Sequence, residues 1–340
     1  MGGDFGPEVT VAGAALAVSR NSRIIPVLVG DEAKIKPVLA KYPSLAKAEI
    51  VHTEDAVAAD EKPSVALRTG RNSSIKLAID LVKEGKADAA VSSGNTGALM
   101  AMALIGLRTL DGIDRPALAA YLPTIDGQCC MLDLGANVEC GADNLVQFAL
   151  MGDAFCRTTS LVKSPSLGLL NVGEEEQKGN DALREASAIL SNPDNGLNYV
   201  GFVEGNDINK GTVDIVVSDG FSGNIALKSM EGTAHFITTL LRRSFKSGLM
   251  AKIGYLFARS ALKILRNKLD PQRYNGAVLL GLNGIVVKSH GSATDRGIAQ
   301  AMAIACDLID NEFMDDLKKS LKHSLKAVDA AEQAAQENGK

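Results

Sequence analysis

At 340 residues, with 46% hydrophobic residues, 33 glycines and 4% aromatic residues, the chain is long enough to bury a substantial core and favours strands that alternate with helices. Its five cysteines show no Cys-x-x-Cys spacing, which supports neither a disulfide framework nor a structural zinc site, and we expect no metal. The sequence has no signal peptide and no apolar run of about 18 residues, so we expect a cytoplasmic protein that is soluble or peripherally membrane-associated.

The net charge of −4 conceals a strongly basic segment. Between Arg242 and Arg273, nine basic residues stand against one acidic residue, Asp270, so this segment carries +8 and the remainder of the chain −12. A basic strip on an acidic protein indicates an anionic partner.

In chain order, short β-branched runs alternate with patterns typical of helices. The predicted strands are Ile24–Val29, Glu49–His52, Pro116–Leu122, Gln128–Leu134, Leu167–Val172, Tyr199–Val203, Asp214–Val217, Ala277–Leu280 and Ile285–Val287. The predicted helices include Val9–Ser19, Glu32–Tyr42, Ser73–Glu84, Ala98–Leu107, Asn144–Thr158, Ile225–His235 and Thr294–Phe313. This alternation indicates an α/β protein with a largely parallel sheet that binds ligands at the carboxyl ends of its strands. We expect one domain over residues 1–325 and a polar, frayed tail over residues 326–340.

Two loops in this order share a pattern. Asp88–Met100 reads DAAVSSGNTGALM and Asp214–Lys228 reads DIVVSDGFSGNIALK, and both contain D-x-x-V-S-x-G-x-[ST]-G. Each predicts a strand, a glycine loop and the start of a helix, which presents unpaired backbone N–H groups and a positive dipole end to a ligand. One such loop alone would favour a simple helix cap, but two matched loops predict two anion-binding corners that face one cleft. We call Ser93–Gly97 the first glycine corner and Ser218–Asn224 the second.

Polar residues in other glycine-rich loops are further candidates. Lys178 precedes a glycine, and a lysine beside glycines in a cleft can neutralise a phosphate, whereas the acidic run Glu174–Glu176 before it fits a helix N-terminus. His290 lies in the loop Lys288–Ser292 and is either functional or a hydrogen-bonded loop histidine.

The segment from Glu231 to Leu269 is almost wholly helical in pattern, and either Gly248 or Gly254 would divide it. Its apolar residues occupy one face and its basic residues the other, so we interpret residues 231–273 as a protruding basic amphipathic helical hairpin. Such a hairpin binds an anionic membrane or an acidic partner, or else presents a solvated face on helices packed in a dimer. The basic residues predicted to make this contact are Arg242, Arg243, Lys246, Lys252, Arg259, Lys263 and Arg266.

Several segments together resemble the phosphate acyltransferase family of bacterial phospholipid synthesis. They are MGGDFGP, KPSVALR, SSGNTGALM, RPALAAYLPT, LDLGANVEC, VGEEEQKGN, GFVEGNDI, VSDGFSGNIALK and GLNGIVVKSHGSA. The resemblance covers about residues 1–325 in the family's order, and the departure is the strand that usually precedes Met-Gly-Gly-Asp. It implies a three-layer α/β/α fold like that of isopropylmalate dehydrogenases and phosphotransacetylases, with the helical hairpin inserted.

The resemblance also implies an activity, namely transfer of a long-chain fatty acyl group from acyl carrier protein to inorganic phosphate. The product would be an acyl phosphate for a membrane glycerol-phosphate acyltransferase. Because bound phosphate attacks the thioester directly, no protein nucleophile and no cofactor are expected. Acidic acyl carrier protein would dock on the basic strip, the hairpin would reach an anionic membrane surface, and the chain would form a homodimer without binding nucleic acid.

On this resemblance, the N–H groups of the first glycine corner hold phosphate and those of the second hold the thioester carbonyl. Lys178, Asn224 and His290 are predicted to contact phosphate or the developing oxyanion, and Asp219 to orient these groups. The residues predicted to bind phosphate or the acyl thioester are Ser93, Gly94, Asn95, Thr96, Gly97, Gly220, Ser222 and Gly223.

Other functions fit parts of the same pattern. A phosphotransacetylase that acts on small acyl-CoA would use the same phosphate site but would need no basic amphipathic surface. A non-catalytic membrane-associated scaffold would bind anions in its glycine loops without turnover. A dehydrogenase of the isopropylmalate type fits less well, because no carboxylate-held metal and no arginine cluster can be placed in the sequence.

Overall fold

The computed structural model describes residues 1–160 and 162–322, so the tail expected at residues 326–340 lies outside the described residues. The strands are β1 (Val27–Gly30), β2 (Glu49–His52), β3 (Ala89–Ser92), β4 (Ala117–Pro123), β5 (Gln128–Leu132), β6 (Ser166–Leu170), β7 (Asn198–Val203), β8 (Ile215–Val217), β9 (Ala277–Leu280) and β10 (Ile285–Lys288). The α-helices with both ends inside the described ranges are α1 (Gly6–Arg20), α2 (Glu32–Leu39), α3 (Pro63–Thr69), α4 (Ser74–Lys83), α5 (Thr96–Leu107), α6 (Ala142–Ser160), α7 (Asp181–Leu190), α8 (Gly205–Lys210), α9 (Gly220–Lys246), α10 (Leu249–Lys268) and α11 (Asp295–Asp310).

The strands form two sheets. β1 and β2 form a parallel pair, and the other strands form an eight-stranded sheet in the order β3-β10-β9-β4-β5-β8-β6-β7. Neighbours in the larger sheet are parallel except at three adjoining pairs, β10–β9, β9–β4 and β4–β5. The predicted largely parallel sheet is therefore confirmed, and the predicted hairpin around Asp126-Gly127 is the antiparallel pair β4–β5.

Both faces of the eight-stranded sheet are covered. In β8, Ile215 and Val217 join one hydrophobic cluster while Val216, between them, joins another, as expected when successive side chains point to opposite faces. Helices α6 and α11 supply the first cluster, and α4 and α5 the second. Strands that are apolar on both faces read as continuous hydrophobic runs, and they produce the predicted three-layer α/β/α fold.

Helices α9 and α10 differ from the helices of these layers because they bury almost nothing. Asp219 caps α9, whose 27 residues span about 40 Å, yet only Gly220 and Gly223 are buried in it. Within α10 no residue is buried. The two helices are joined by Ser247 and Gly248, so the predicted helical segment divides at Gly248 and not at Gly254, and its first helix begins earlier than predicted, at the second glycine corner.

The N-terminal residues lie against the first glycine corner. The Met1 amine donates a hydrogen bond to the Val29 carbonyl oxygen (2.9 Å), and the Ser74 hydroxyl donates to the Met1 carbonyl oxygen (2.9 Å). A Cβ atom on Gly2 would lie 3.0 Å from the Gly94 backbone. This close backbone approach disfavours a side chain at Gly2 and fixes one wall of the first corner.

Candidate active site

The first glycine corner is tied to residues 58–61 through the side chain of its own Asn95. Asn95 caps α5 by accepting a hydrogen bond from the Ala98 N–H (3.0 Å). Its Nδ2 donates to the carbonyl oxygens of Ala58 (3.0 Å), Ala59 (3.0 Å) and Glu61 (2.9 Å). The side chain of Asn95 is therefore occupied by the protein itself, and any phosphate contact at this residue falls to its backbone.

That backbone is open. The N–H groups of Asn95, Thr96 and Gly97 donate to no acceptor in the part of the chain that the structure describes. Free N–H groups and the positive end of the α5 dipole suit an anion. The first corner thus retains the donors that the sequence predicts for phosphate, and contact with phosphate stays a prediction.

The second glycine corner is closed by its own neighbours. The Gly220 N–H donates to the Asn137 carbonyl oxygen (2.7 Å), the Ser222 N–H to Asp219 Oδ1 (2.7 Å) and the Gly223 N–H to the Asp219 carbonyl oxygen (3.0 Å). The Ser222 hydroxyl also bonds Asp219 Oδ2 (3.2 Å). Asp219, predicted to orient catalytic groups, is the N-cap of α9. Among the donors of this corner, the N–H groups of Asp219 and Phe221 and the exposed Asn224 side chain have no partner in the described ranges.

A buried carboxylate, Asp133, explains why this corner is closed. Its Oδ1 accepts hydrogen bonds from the N–H groups of Leu118 (2.9 Å), Gly135 (3.2 Å) and Ala136 (3.0 Å), and its Oδ2 accepts from the Asn137 N–H (2.6 Å) and Asn137 Nδ2 (2.9 Å). Burial raises the pKa of Asp133 above its usual value, although the hydrogen bonds from these donors act in the opposite direction. The loop so organised packs directly on Gly220 and Gly223 of α9.

The two corners do not share one edge of the sheet. Because three antiparallel pairs separate β3 from β8 in the sheet order, these two strands run in opposite directions, and their carboxyl ends lie at opposite edges. The first corner and His290 follow β3 and β10 at one edge. The second corner follows β8 at the other edge, where Lys178 follows the neighbouring parallel strand β6.

A cavity of about 2200 Å³ nevertheless reaches both corners. It lies between the face of β4 and helices α9 and α10, and Thr96 of the first corner, Asn224 of the second and His290 all line it. Its apolar walls include Leu118, Ala120, Leu122, Leu227, Met230, Ile237, Leu241, Leu262 and Leu265. At one end the Lys268 ammonium donates a hydrogen bond to the Ile125 carbonyl oxygen, which ties the end of α10 to the β4–β5 turn.

His290 presents a neutral ring to this cavity. The Ser292 N–H donates to His290 Nδ1 (3.2 Å), so in the neutral ring the proton resides on Nε2. Burial lowers the pKa of His290; Lys228 and Lys288 lower it further, while Glu231 and Asp4 raise it. The predicted loop histidine is thus a hydrogen-bond donor at neutral pH.

The loop of His290 is held by a buried asparagine that the sequence did not indicate. Asn275 Oδ1 accepts from the His290 N–H (2.8 Å), and its Nδ2 donates to the Ser289 hydroxyl (2.7 Å) and the Gly297 carbonyl oxygen (2.7 Å). Asn275 therefore fixes the backbone from which His290 projects.

Two lysines of the cavity were also missed by sequence reasoning. Lys228 lies one helical turn after Asn224 on α9, and Lys288 ends β10; both line the cavity. Burial, with a smaller contribution from the Lys228 charge, lowers the pKa of Lys288 to about 8, against Asp4, which raises it. The available signal was a lysine directly after a buried β-branched run, Ile285–Val287.

Lys178 is not brought to the cavity. It is exposed, its N–H donates to the Glu175 carbonyl oxygen (2.9 Å), and it is absent from the residues that line the cavity. Its predicted role in catalysis stays a prediction. Lys178 lies at the same edge of the sheet as Asn224.

The basic residues of α9 and α10 divide unevenly. Of the seven predicted for partner contact, Arg243 does not line the cavity, whereas the others do, namely Arg242, Lys246, Lys252, Arg259, Lys263 and Arg266. Several large apolar residues of the same helices are exposed, including Leu249, Met250, Leu256 and Phe257. The charge is therefore concentrated around the cavity, and apolar surface is exposed near the junction of the two helices.

Within the described residues, no helix is both long and apolar enough to cross a membrane. Over the same ranges, His, Cys, Asp and Glu side chains form no group of three or more that is arranged to hold a metal ion.

The fold is similar to that of the phosphotransacetylases. A phosphotransacetylase from Streptococcus pyogenes superposes with a TM-score of 0.59 at 18% identity, over 88% of this chain and 91% of that one. The EutD phosphotransacetylase from Staphylococcus aureus gives a TM-score of 0.56 at 17% identity, over 88% and 90% of the two chains. At these identities the likeness shows the fold alone.

The sequence relationship is closer and defines the family. The model of the family described as fatty acid synthesis protein matches residues 1–316, and this chain belongs to that family. A phosphate acyltransferase from Rhodospirillum centenum is 55% identical over 332 residues, which cover 97% of this chain and 94% of that protein. Another from Erythrobacter litoralis is 53% identical over 316 residues, 92% and 89% of the two chains. The chain is therefore an acyltransferase, and the resemblance drawn from its motifs is confirmed.

Proposed function

We propose that this protein transfers a long-chain fatty acyl group from the thioester of acyl carrier protein to inorganic phosphate, forming an acyl phosphate for phospholipid synthesis. The observation that carries the proposal is the cavity of about 2200 Å³, which has apolar walls and reaches the open first corner, Asn224 and His290. Relatives of about 50% identity are phosphate acyltransferases by name, which supports the same reaction here.

The proposed step is direct attack by phosphate. A phosphate oxygen forms a bond to the thioester carbon, the carbon–sulfur bond breaks, and the sulfur leaves as a thiolate that takes up a proton from water. The enzyme accelerates this step by holding both reactants and by donating hydrogen bonds to the developing oxyanion. Free N–H groups of Asn95, Thr96 and Gly97 serve phosphate, and the Asn224 amide and His290 Nε2–H serve the oxyanion or phosphate.

The apolar walls explain why a long acyl chain is the proposed substrate. A 16-carbon chain buries its methylene groups at about 0.8 kcal/mol each, which a small acyl-CoA does not offer. The cavity is far larger than an acetyl group needs. We therefore favour the long-chain reaction over that of a phosphotransacetylase with small acyl-CoA.

The surroundings of the cavity support the proposed partners. Acidic acyl carrier protein docks on the six basic residues that line the cavity, where its thioester enters directly. The exposed apolar residues near Gly248 contact an anionic membrane, where a membrane glycerol-phosphate acyltransferase takes up the product. A homodimer and a cytoplasmic, peripherally membrane-associated location complete the proposal on the family resemblance.

The decisive experiment incubates the purified protein with a long-chain acyl carrier protein and phosphate, with mass detection of acyl phosphate. Parallel samples contain acetyl-CoA in place of the carrier, or no phosphate. Acyl phosphate formed from the long-chain donor alone supports the proposal. Turnover of acetyl-CoA would favour the small-substrate alternative, and anion binding without any turnover would favour the scaffold.

Two variants test the residue roles in the same assay. Asn224→Ala is expected to lower turnover by about 10²-fold, the usual loss when one oxyanion donor is removed. Lys178→Ala is expected to lower turnover, because its exposed ammonium is predicted to contact phosphate or the developing oxyanion. Unchanged turnover in a folded variant would remove the corresponding residue from the mechanism, and Lys86→Gln, a distant exposed lysine, serves as the matched control.

A further inference from the structure

Lys288 is a largely buried cation that forms no ion pair with any carboxylate of the described residues, although the charge of Asp4 raises its pKa. Its Nζ donates a hydrogen bond to the adjacent Ser289 carbonyl oxygen, and within the described ranges it forms no ion pair. An ammonium has three N–H donors, so two remain available. Because a buried charge is costly unless it is paired, this position is expected to stabilise an anion in the cavity that Lys288 lines.

Lys228 brings a second cation to the same place from α9. Its charge lowers the pKa of both Lys288 and His290, and all three side chains line the cavity although Lys228 is about 60 residues from the other two along the chain. Lys228 Nζ contacts Glu231 Oε2 at 2.7 Å. All four of these side chains line the cavity. The fold therefore brings the positive charges of Lys228 and Lys288 together in a concave site, which favours an anionic ligand.

The position of Lys288 in the sheet relates this pair to the first glycine corner. β10 is the parallel neighbour of β3, and Lys288 is paired with Ser92 in the register. The chain therefore leaves both strands at the same edge, with the first corner directly after Ser92. Thr96 of that corner lines the same cavity as Lys288.

We propose that Lys288 and Lys228 together bind inorganic phosphate in this cavity, through its negatively charged oxygen atoms. The inference rests on the proposed function, and it adds two binding residues to the predicted site. Two ammonium groups match the double charge of phosphate at neutral pH, and in the absence of ligand Glu231 holds Lys228.

The test measures the phosphate KM and the acyl-donor KM of single variants. Lys288→Gln and Lys228→Gln are each expected to raise the phosphate KM by about tenfold or more, since each removes a charge-assisted hydrogen bond, with the acyl-donor KM unchanged. Lys288→Arg keeps the charge and is expected to stay within about threefold of the parent. Glu231→Gln frees Lys228 and is expected to lower the phosphate KM, and Lys86→Gln is the control for a lysine outside the cavity.

The pH profile provides an independent readout. Besides Lys288, the charged or titratable groups placed around this part of the cavity are Lys228, Glu231, Asp4, His290 and Arg296. With its pKa near 8, Lys288 carries its charge below that pH and loses it above, so the phosphate KM of the parent should rise above about pH 8. Lys288→Arg should abolish this rise because arginine remains charged.

Binding of inorganic phosphate without any acyl donor separates this inference from the proposed function. The ³¹P resonance of inorganic phosphate should broaden when the parent protein is added and should stay sharp with Lys288→Gln. Added sulfate should reverse the broadening by competing for the site. If the parent binds phosphate through Lys288 but forms no acyl phosphate, the proposed reaction fails and the anion site stands. If the parent is active and both Gln variants keep the parent phosphate KM, the inference is wrong. A rise in the acyl-donor KM alone would assign the lysines to an anionic group of the carrier and would also overturn it.

Discussion

The two glycine corners share a sequence pattern but keep different backbone N–H groups free in the structure. At the first, the N–H groups of Asn95, Thr96 and Gly97 have no acceptor in the described part of the chain. At the second, Asp219 and the loop after Asp133 take up the N–H groups of Gly220, Ser222 and Gly223. The comparison teaches that a glycine loop before a helix keeps its first N–H groups free for a ligand only where no other loop of the protein takes them up.

The second corner should therefore fail structurally when a side chain is added. A methyl group at Gly223 would overlap the Asp133 carbonyl oxygen, a backbone atom that cannot step aside. We expect Gly223→Ala to lower the free energy of unfolding by about 4 kcal/mol, above the usual cost of overpacking. Urea denaturation followed by circular dichroism measures this change.

Gly232 provides the control on the same helix. It lies in the interior of α9 and a Cβ atom there would meet nothing within 4 Å, so Gly232→Ala should stabilise the protein by about 0.5 to 1 kcal/mol. Equal effects of the two substitutions would mean that the second corner is not closed by the Asp133 loop.

The carboxylate beneath the second corner should be the next most sensitive position. In Asp133→Asn an NH₂ group replaces one oxygen and faces either the two donors of Asn137 or the three N–H groups on Oδ1. Unsatisfied buried donors at this site should cost about 3 kcal/mol in the free energy of unfolding. Asp143→Asn, an exposed carboxylate in the first turn of α6, should change it by less than about 0.5 kcal/mol. A small loss at Asp133 would show that the loop is ordered by other contacts.

Much of this fold could be predicted from local patterns because they report local structure. The alternating strands and helices and the β4–β5 hairpin follow from hydrophobic runs and turn residues. The directions of β3 and β8 could not be predicted, since they depend on three antiparallel pairs between strands distant in sequence. Both corners do reach one cavity, as expected, because Thr96 and Asn224 line it. They reach it from opposite edges of the sheet, which the sequence does not predict.

The same reasoning separates the predicted site residues from the missed ones. His290 and Asn224 lie in polar or glycine-rich loops, a signal readable from sequence, and both line the cavity. Lys288 has only one signal in the sequence, its place directly after a buried β-branched run. Lys228 has none, because the fold brings α9 and β10 to the same cavity from distant parts of the chain. Asp133 was passed over because a buried carboxylate that organises a loop looks like any loop aspartate in sequence.

The first corner should respond to substitution with a small loss of stability and a larger loss of phosphate use. Asn95→Ala removes the cap of α5 and the three hydrogen bonds to residues 58–61, and we expect it to cost about 1 kcal/mol in the free energy of unfolding. Because the free N–H groups then lose their fixed position, the phosphate KM should rise several-fold. Urea denaturation and the acyl phosphate assay measure the two effects.

Asn95→Asp separates the two duties of this side chain, because a carboxylate keeps the cap on the Ala98 N–H but cannot donate to the carbonyl oxygens of Ala58, Ala59 and Glu61. Its negative charge beside the free N–H groups should also repel phosphate, so we expect α5 to keep its cap, the contact with residues 58–61 to be lost at a cost of about 1 kcal/mol or more, and the phosphate KM to exceed that of Asn95→Ala. A stability loss as large as that of Gly223→Ala, with phosphate use unchanged, would make the first corner a closed structural turn like the second. The difference between the two corners would then have no functional meaning, and the phosphate would have to bind elsewhere in the cavity.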